Sequence, residues 1–275
     1  MQSTIWEVLK KSLFFKIILL IFIGLTVWWL NIFGRGLINE PENTYFTLTY
    51  PFLSLFGGIA GIVIAEKWGG LKSILGRSIC MFSFGLLSQF YGQAMYAYYI
   101  YIKGVEVPYP SLGDVGYFGS VLFYIIAIYY LAKVSGLRFS FRSMSGKLQA
   151  FFIPAALLIF SYSLFLKNYE FDWSNQLKIF LDFGYPLGQA IYVSIAILAL
   201  LMARNLLGGM MKKPIWFLIF ALVIQYFSDF IFLYQSNYGS WYVGGINDYL
   251  YCCSYFLMSG ALIYIGSIFY KIQES

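Results

Sequence analysis

The chain has 275 residues, 60% of them hydrophobic and only 11% charged, with 28 Phe, 25 Tyr and 7 Trp and a formal net charge of +6. A soluble domain carries charge on about a quarter of its residues, and a disordered chain combines low hydrophobicity with high charge, so both classes are excluded and lipid is the natural solvent. The sequence contains no histidine and three cysteines. The commonest metal ligand and general base is therefore missing, no cysteine spacing suits zinc or a disulfide framework, and neither a metal nor a cofactor is expected.

Runs of about 20 mostly apolar residues, the length that crosses a bilayer, fall at roughly 14–33, 46–66, 78–102, 113–132, 148–166, 181–203, 214–235 and 249–270. The first is preceded by Lys10, Lys11 and Lys16, but no small-residue cleavage site follows it, so it reads as a retained helix. The fold class expected is an all-α polytopic membrane protein, a single transmembrane domain over 1–275. Its eight helices pair into four tandem hairpins at about 14–66, 78–132, 148–203 and 214–270. The connecting loops are too short to house a soluble catalytic domain.

Lysine and arginine are retained on the cytoplasmic side during insertion. Fourteen of the 18 fall at the N-terminus, in the even-numbered loops and at the C-terminus, which places both termini in the cytoplasm. Nine of the 12 acidic residues sort to the opposite face. The positive charge lies in short segments beside lipid headgroups, so the bilayer is its partner and nucleic acid is not.

Each inward-going helix opens on the same pattern. Asp114 and Tyr117, Asp182 and Tyr185, and Asp248 and Tyr251 are Asp-x-x-Tyr pairs, and Thr47 and Tyr50 stand in the same place on the second helix. The tyrosines at 50, 117, 185 and 251 are separated by 67, 68 and 66 residues, which points to a repeated hairpin. Two readings of these pairs stand side by side. An Asp in the first turn caps unsatisfied N–H groups and meets the positive end of the helix dipole, Ser111 and Asp114 having the spacing of a capping box, while a boundary Tyr is an interfacial anchor. Alternatively, three acids at one depth converge on an outward-facing pocket.

A deeper polar layer lies on the outward-going helices. Gln89 and Gln93, and Gln225 and Asp229, are i, i+4 pairs at nearly matching repeat positions. Asp229 lies about six residues, roughly 9 Å, inside the outer end of its helix, where a charged group must face protein or water. The candidate ligand-binding residues are thus Asp114, Tyr117, Asp182, Tyr185, Asp229, Asp248, Tyr251, Gln93 and Gln225. No catalytic set emerges: a Ser or Cys nucleophile lacks a His base, and no paired aspartates occupy mid-membrane depth.

At Pro108-Tyr-Pro-Ser111-Leu-Gly-Asp114-Val-Gly-Tyr117-Phe118 the chain resembles the multi-span sensor module that precedes diguanylate cyclase, phosphodiesterase and histidine kinase domains in bacteria and archaea. The segment Asp182-Phe-Gly-Tyr185-Pro186-Leu-Gly188 and the region of Asp229 and Asp248 are similar to other recurring parts of it, so the likeness covers about residues 75–270. The resemblance implies a sensor in a prokaryotic plasma membrane. It departs from the pattern after Lys271, where no signalling domain follows, so its output implies a separate signalling or assembly partner. The expected function is a non-enzymatic sensory or ligand-binding module. Ion-coupled small-molecule transport and a structural role in a membrane complex are the alternatives.

Overall fold

The computed structural model describes residues 12–134, 144–163, 169, 171–202 and 212–273. The basic residues Arg138, Arg142, Lys167 and Arg204, the acidic Glu170 and both extreme termini lie outside them. Among the described residues the fold is all-helical, without a strand.

Helix α1 (Leu13–Gly34) starts where the Ser12 hydroxyl accepts from the Phe15 amide at 3.4 Å. Helix α2 (Pro41–Thr49) begins with a reciprocal cap between Glu40 and Asn43, and Pro41 fits the first turn because its missing N–H has no helical partner there. Tyr50-Pro51 then separates α2 from α3 (Phe52–Lys67), since proline cannot donate the next helical bond. A short 3-10 turn (Gly70–Lys72) leads into α4 (Ile74–Ala97), capped by Ser73, which passes into a π-turn (Tyr98–Lys103) closed by Gly104 at φ +65°. Helices α5 (Leu112–Val134), α6 (Met144–Ser161), α7 (Gln176–Met202), α8 (Lys212–Asn237) and α9 (Ile246–Gln273) complete the chain.

Six segments are long and apolar enough to cross a membrane: α1, the joined α2 and α3 over Pro41–Lys67, and the long helices α5, α7, α8 and α9. Helices α4 and α6 stand where the third and fifth runs are expected, and they are the more polar pair. Helix α4 carries Ser78, Ser83, Gln89 and Gln93, and α6 opens on Ser145-Gly146-Lys147.

Helices α3, α4, α5, α7, α8 and α9 form a closed ring in which each packs on the next, α9 returning to α3. Helix α1 lies outside against α9 and α3, and α6 outside against α7. Helix α9 is the most enclosed of the spans, with 72% of its most apolar window buried, against 22% for α1. The ring is filled by Phe82, Leu86, Ile128, Leu218, Leu222 and Leu262, all without solvent exposure, so apolar burial supplies most of the packing. At the end carrying the helix C-termini of α3, α5 and α9, Lys67 sits over the Tyr270 ring and Arg77 over Tyr130 at 5.8 Å.

The tightest crossing is between α4 and α5. A Cβ on Gly116 would stand 2.5 Å from both the Gly92 amide nitrogen and the Ser88 carbonyl oxygen, atoms of the backbone that cannot swing away. Gly116→Val is therefore expected to pry α4 from α5 and cost about 1–3 kcal/mol, read as a lowered melting temperature in detergent. Gly24→Ala, with nothing within 4 Å of the added methyl, should leave the melting temperature unchanged or slightly raised, because alanine is the better helix former.

Candidate functional site

A carboxylate only accepts hydrogen bonds, and among the described residues none of Asp114, Asp182, Asp229 and Asp248 is in a salt bridge. The one ion pair seen there is Arg35 with Glu42 at 3.7 Å. Neutral donors surround the acids instead, and each of the four acids accepts at least one tyrosine O–H.

Asp248 sits in the first turn of α9 and is 4% exposed. It accepts from the Gly244 amide at 2.6 Å, from the Thr47 hydroxyl at 3.0 Å and from the Tyr50 hydroxyl at 3.3 Å. Gly244 reaches this position because its φ is +72° and its α-carbon packs on Asn43, where a side chain would collide with backbone atoms 2.9 Å away. Asp114 caps α5, accepting from the Ser111 amide at 2.7 Å and the Ser111 hydroxyl at 3.2 Å, and then takes the Tyr185 hydroxyl at 2.9 Å. The capping and converging roles of these two acids thus coexist: one oxygen of each holds its own helix start, and the other holds a tyrosine from another hairpin.

Asp229 lies deeper on α8. Its oxygens accept from Tyr251 at 2.6 Å, from Gln189 at 2.8 Å and, more weakly, from Gln225 at 3.4 Å. The equivalent place on α4 is held by Gln93, whose oxygen accepts from Tyr117 at 2.8 Å. Gln89 bridges two helices, donating to Ser120 at 2.7 Å and accepting from Tyr255 at 2.9 Å. Asp182 stands apart, taking Tyr109 at 2.7 Å and Tyr169 at 2.6 Å from the outer loops. Partial desolvation, then this bond, pushes the Tyr169 phenol up to about 12, and burial followed by the same acceptor moves Tyr109 upward too. Both therefore remain donors at neutral pH.

The structure thus brings together Asp114 with Tyr185, Asp229 with Tyr251 and Gln225, and Gln93 with Tyr117. An Asp and its own i+3 Tyr share a helix face, but they do not bond to each other: Tyr185 goes to Asp114 and leaves Asp182 to the loops. Tyr117 interacts electrostatically with Asp114, Asp229 and Asp248, which places these acids around one interior. Sequence reasoning missed Gln189, Tyr109 and Tyr169. Gln189 had a usable signal, an amide inside an apolar run, whereas the loop tyrosines had none.

The bonds form two matched sets. Tyr50 to Asp248 and Tyr185 to Asp114 exchange when about 135 residues are added to one member and subtracted from the other, and Tyr117 to Gln93 maps onto Tyr251 to Asp229 in the same way. The two halves of the ring are joined about a pseudo-twofold axis. No protein-family model, curated protein or solved structure matches the chain. The likeness to sensor modules rests on its motif residues alone.

Removing one phenolic donor leaves a buried acceptor short of a partner, at a cost of about 1–3 kcal/mol. Tyr50→Phe, Tyr185→Phe and Tyr251→Phe should each lower the melting temperature, whereas Tyr45→Phe, at a residue 58% exposed, should not. Thermal unfolding of the purified protein checks the series.

Proposed function

We propose that this chain is a non-enzymatic, multi-pass module of a prokaryotic plasma membrane that binds a ligand from outside and passes the resulting change to a separate partner. In this reading all eight runs span, α4 and α6 included, because their neighbours in the ring span and because the basic residues then fall on one side. Both termini are cytoplasmic by the same rule.

The observation that carries the reading is the reach of the polar layer. Tyr50 and Thr47 tie the first hairpin to the fourth through Asp248, Tyr185 ties the third to the second through Asp114, Gln189 ties the third to the fourth through Asp229, and Tyr255 ties the fourth to the second through Gln89. A ligand that takes one of these donors or acceptors alters contacts in at least two hairpins at once. Side-chain networks of this kind respond as units, and coupling between sites needs such a shared element. The basic face beyond the apolar half of the ring supplies a surface for the partner.

Among outward-added small molecules screened by thermal shift, at least one should stabilise the wild type. The triple variant Asp114→Asn, Asp182→Asn, Asp248→Asn should insert and fold yet lose that response; an undiminished response in the folded variant would sink the reading.

Ion-coupled transport is the second reading, favoured by three buried polar atoms without partners: the hydroxyls of Tyr124 and Tyr192 and the Gln225 side-chain oxygen. Both tyrosines interact electrostatically with Asp229. Buried groups of this sort commonly bond to ordered water, and water below an intramembrane acid is a route for protons. This reading expects proton flux in proteoliposomes that Asp229→Asn abolishes, measured with an entrapped pH dye.

A further inference from the structure

Outside the Asp–Tyr layer, the α4 terminus and the α8–α9 loop enclose an open pocket of about 520 Å³, within the range of small-molecule sites. Its walls come from both halves of the ring. Tyr96 and Ile100 belong to α4 and its π-turn, Val105 and Glu106 to the loop after it, and Trp241 to the loop before α9. A π-turn interrupts a helix at some cost and tends to occur at functional sites. Here it swings the backbone out so that the residues beyond Gly104 face Trp241.

The walls are held in place by the backbone. The Val105 amide bonds to the Tyr99 carbonyl at 3.1 Å, and the amides of Ser240 and Trp241 both bond to the Gln235 carbonyl, at 2.9 and 3.2 Å. Trp241 is further fixed between two rings, meeting Tyr96 edge-on at 6.5 Å and 84° and Phe232 at 5.8 Å and 85°. Tyr96 and Trp241 therefore stand as two nearly perpendicular aromatic faces.

Two polar features point to an occupant. The Trp241 indole nitrogen is buried and has no hydrogen-bond partner, although a buried donor ordinarily has one. Glu106 is the charged residue of the lining, and it lies in the exposed loop at the rim. The adjacent Lys103 is turned over the Tyr98 ring at 5.8 Å and does not line the pocket. Perpendicular aromatic faces attract a cation through their quadrupoles, a rim carboxylate supplies the countercharge, and the indole N–H calls for an oxygen acceptor.

We propose that this pocket binds a small organic ammonium carrying a hydroxyl or carbonyl oxygen. The cation rests against Tyr96 and Trp241 beside Glu106, and the oxygen accepts from the Trp241 N–H. This deepens the ligand-binding reading above, on which it rests, by naming a ligand class and a point of entry. Tyr96 in turn interacts electrostatically with Asp248 and with Tyr117, so an occupant adjoins the Asp–Tyr layer.

The test is calorimetric titration of the full chain in lipid nanodiscs with choline, with 3,3-dimethylbutanol, its uncharged isostere, and with tetramethylammonium, which has the charge and no oxygen. Choline should bind saturably and about tenfold more tightly than the isostere. Glu106→Gln should weaken choline and tetramethylammonium several-fold and leave the isostere unchanged. Trp241→Phe, which keeps a ring and removes the donor, should erase the advantage of choline over tetramethylammonium. Thermal unfolding of both variants shows that they are folded. Absence of saturable choline binding, equal binding of choline and its isostere, or indifference of folded Glu106→Gln and Trp241→Phe would each overturn the proposal. The Asp-to-Asn triple variant separates the two ideas: if the pocket fails while another outward-added molecule still needs the acids, the general reading survives and the pocket assignment does not.

Discussion

An acid placed inside an apolar bundle has to be surrounded by donors, and everything distinctive in this protein follows from how that requirement is met. A counter-cation would be the common solution. Here the donors are uncharged: tyrosine hydroxyls, two glutamine amides, a threonine, a serine and two helix-start amides. Tyrosine suits the task because its long ring packs like any apolar side chain while its tip reaches across to the next helix. The abundance of tyrosine in the composition thus has a structural use beyond anchoring at the lipid boundary.

Much of this was legible in the sequence, because a period of about 67 residues and an invariant tyrosine spacing leave a visible trace. The starts of α5 and α9, the cap of Ser111 on Asp114 and the depth of Asp229 all follow from local rules that act over three or four residues. The partners do not. Tyr185 is seventy-one residues from Asp114, and Tyr50 is 198 from Asp248; no local pattern says which neighbour a ring will face once the helices close into a circle. The pairing of each Asp with its own i+3 Tyr is a reasonable expectation for an isolated helix, yet the interhelical direction wins because the hydroxyl tip extends well past its own backbone. The polar character of α4 was also visible, and it is the reason that helix departs from the apolar standard of its neighbours.

The two halves share a plan but not their packing. At the α3–α9 crossing, Gly57 sits so close to Ser259 that a Cβ would overlap the serine hydroxyl. One half-turn of the pseudo-symmetry away, the counterpart of Gly57 on α7 is Tyr192, which packs against Tyr124 at 6.1 Å. One crossing is closed by small residues and the other is spread by two large rings whose hydroxyls have no partners. A duplicated framework has therefore acquired one compact seam and one polar seam, and the polar seam adjoins Asp229.

The bond from Tyr50 to Asp248 also bears on how the protein is made. Helices enter the bilayer in order of synthesis, so the first hairpin arrives with Thr47 and Tyr50 lacking the acceptor that only the fourth hairpin brings. Those hydroxyls must be tended by water, lipid or the insertion machinery until α9 is delivered. Closure of the circle is consequently a late step of biogenesis, and a nascent chain halted after the third hairpin would present an unfinished seam to any quality-control protease in the membrane.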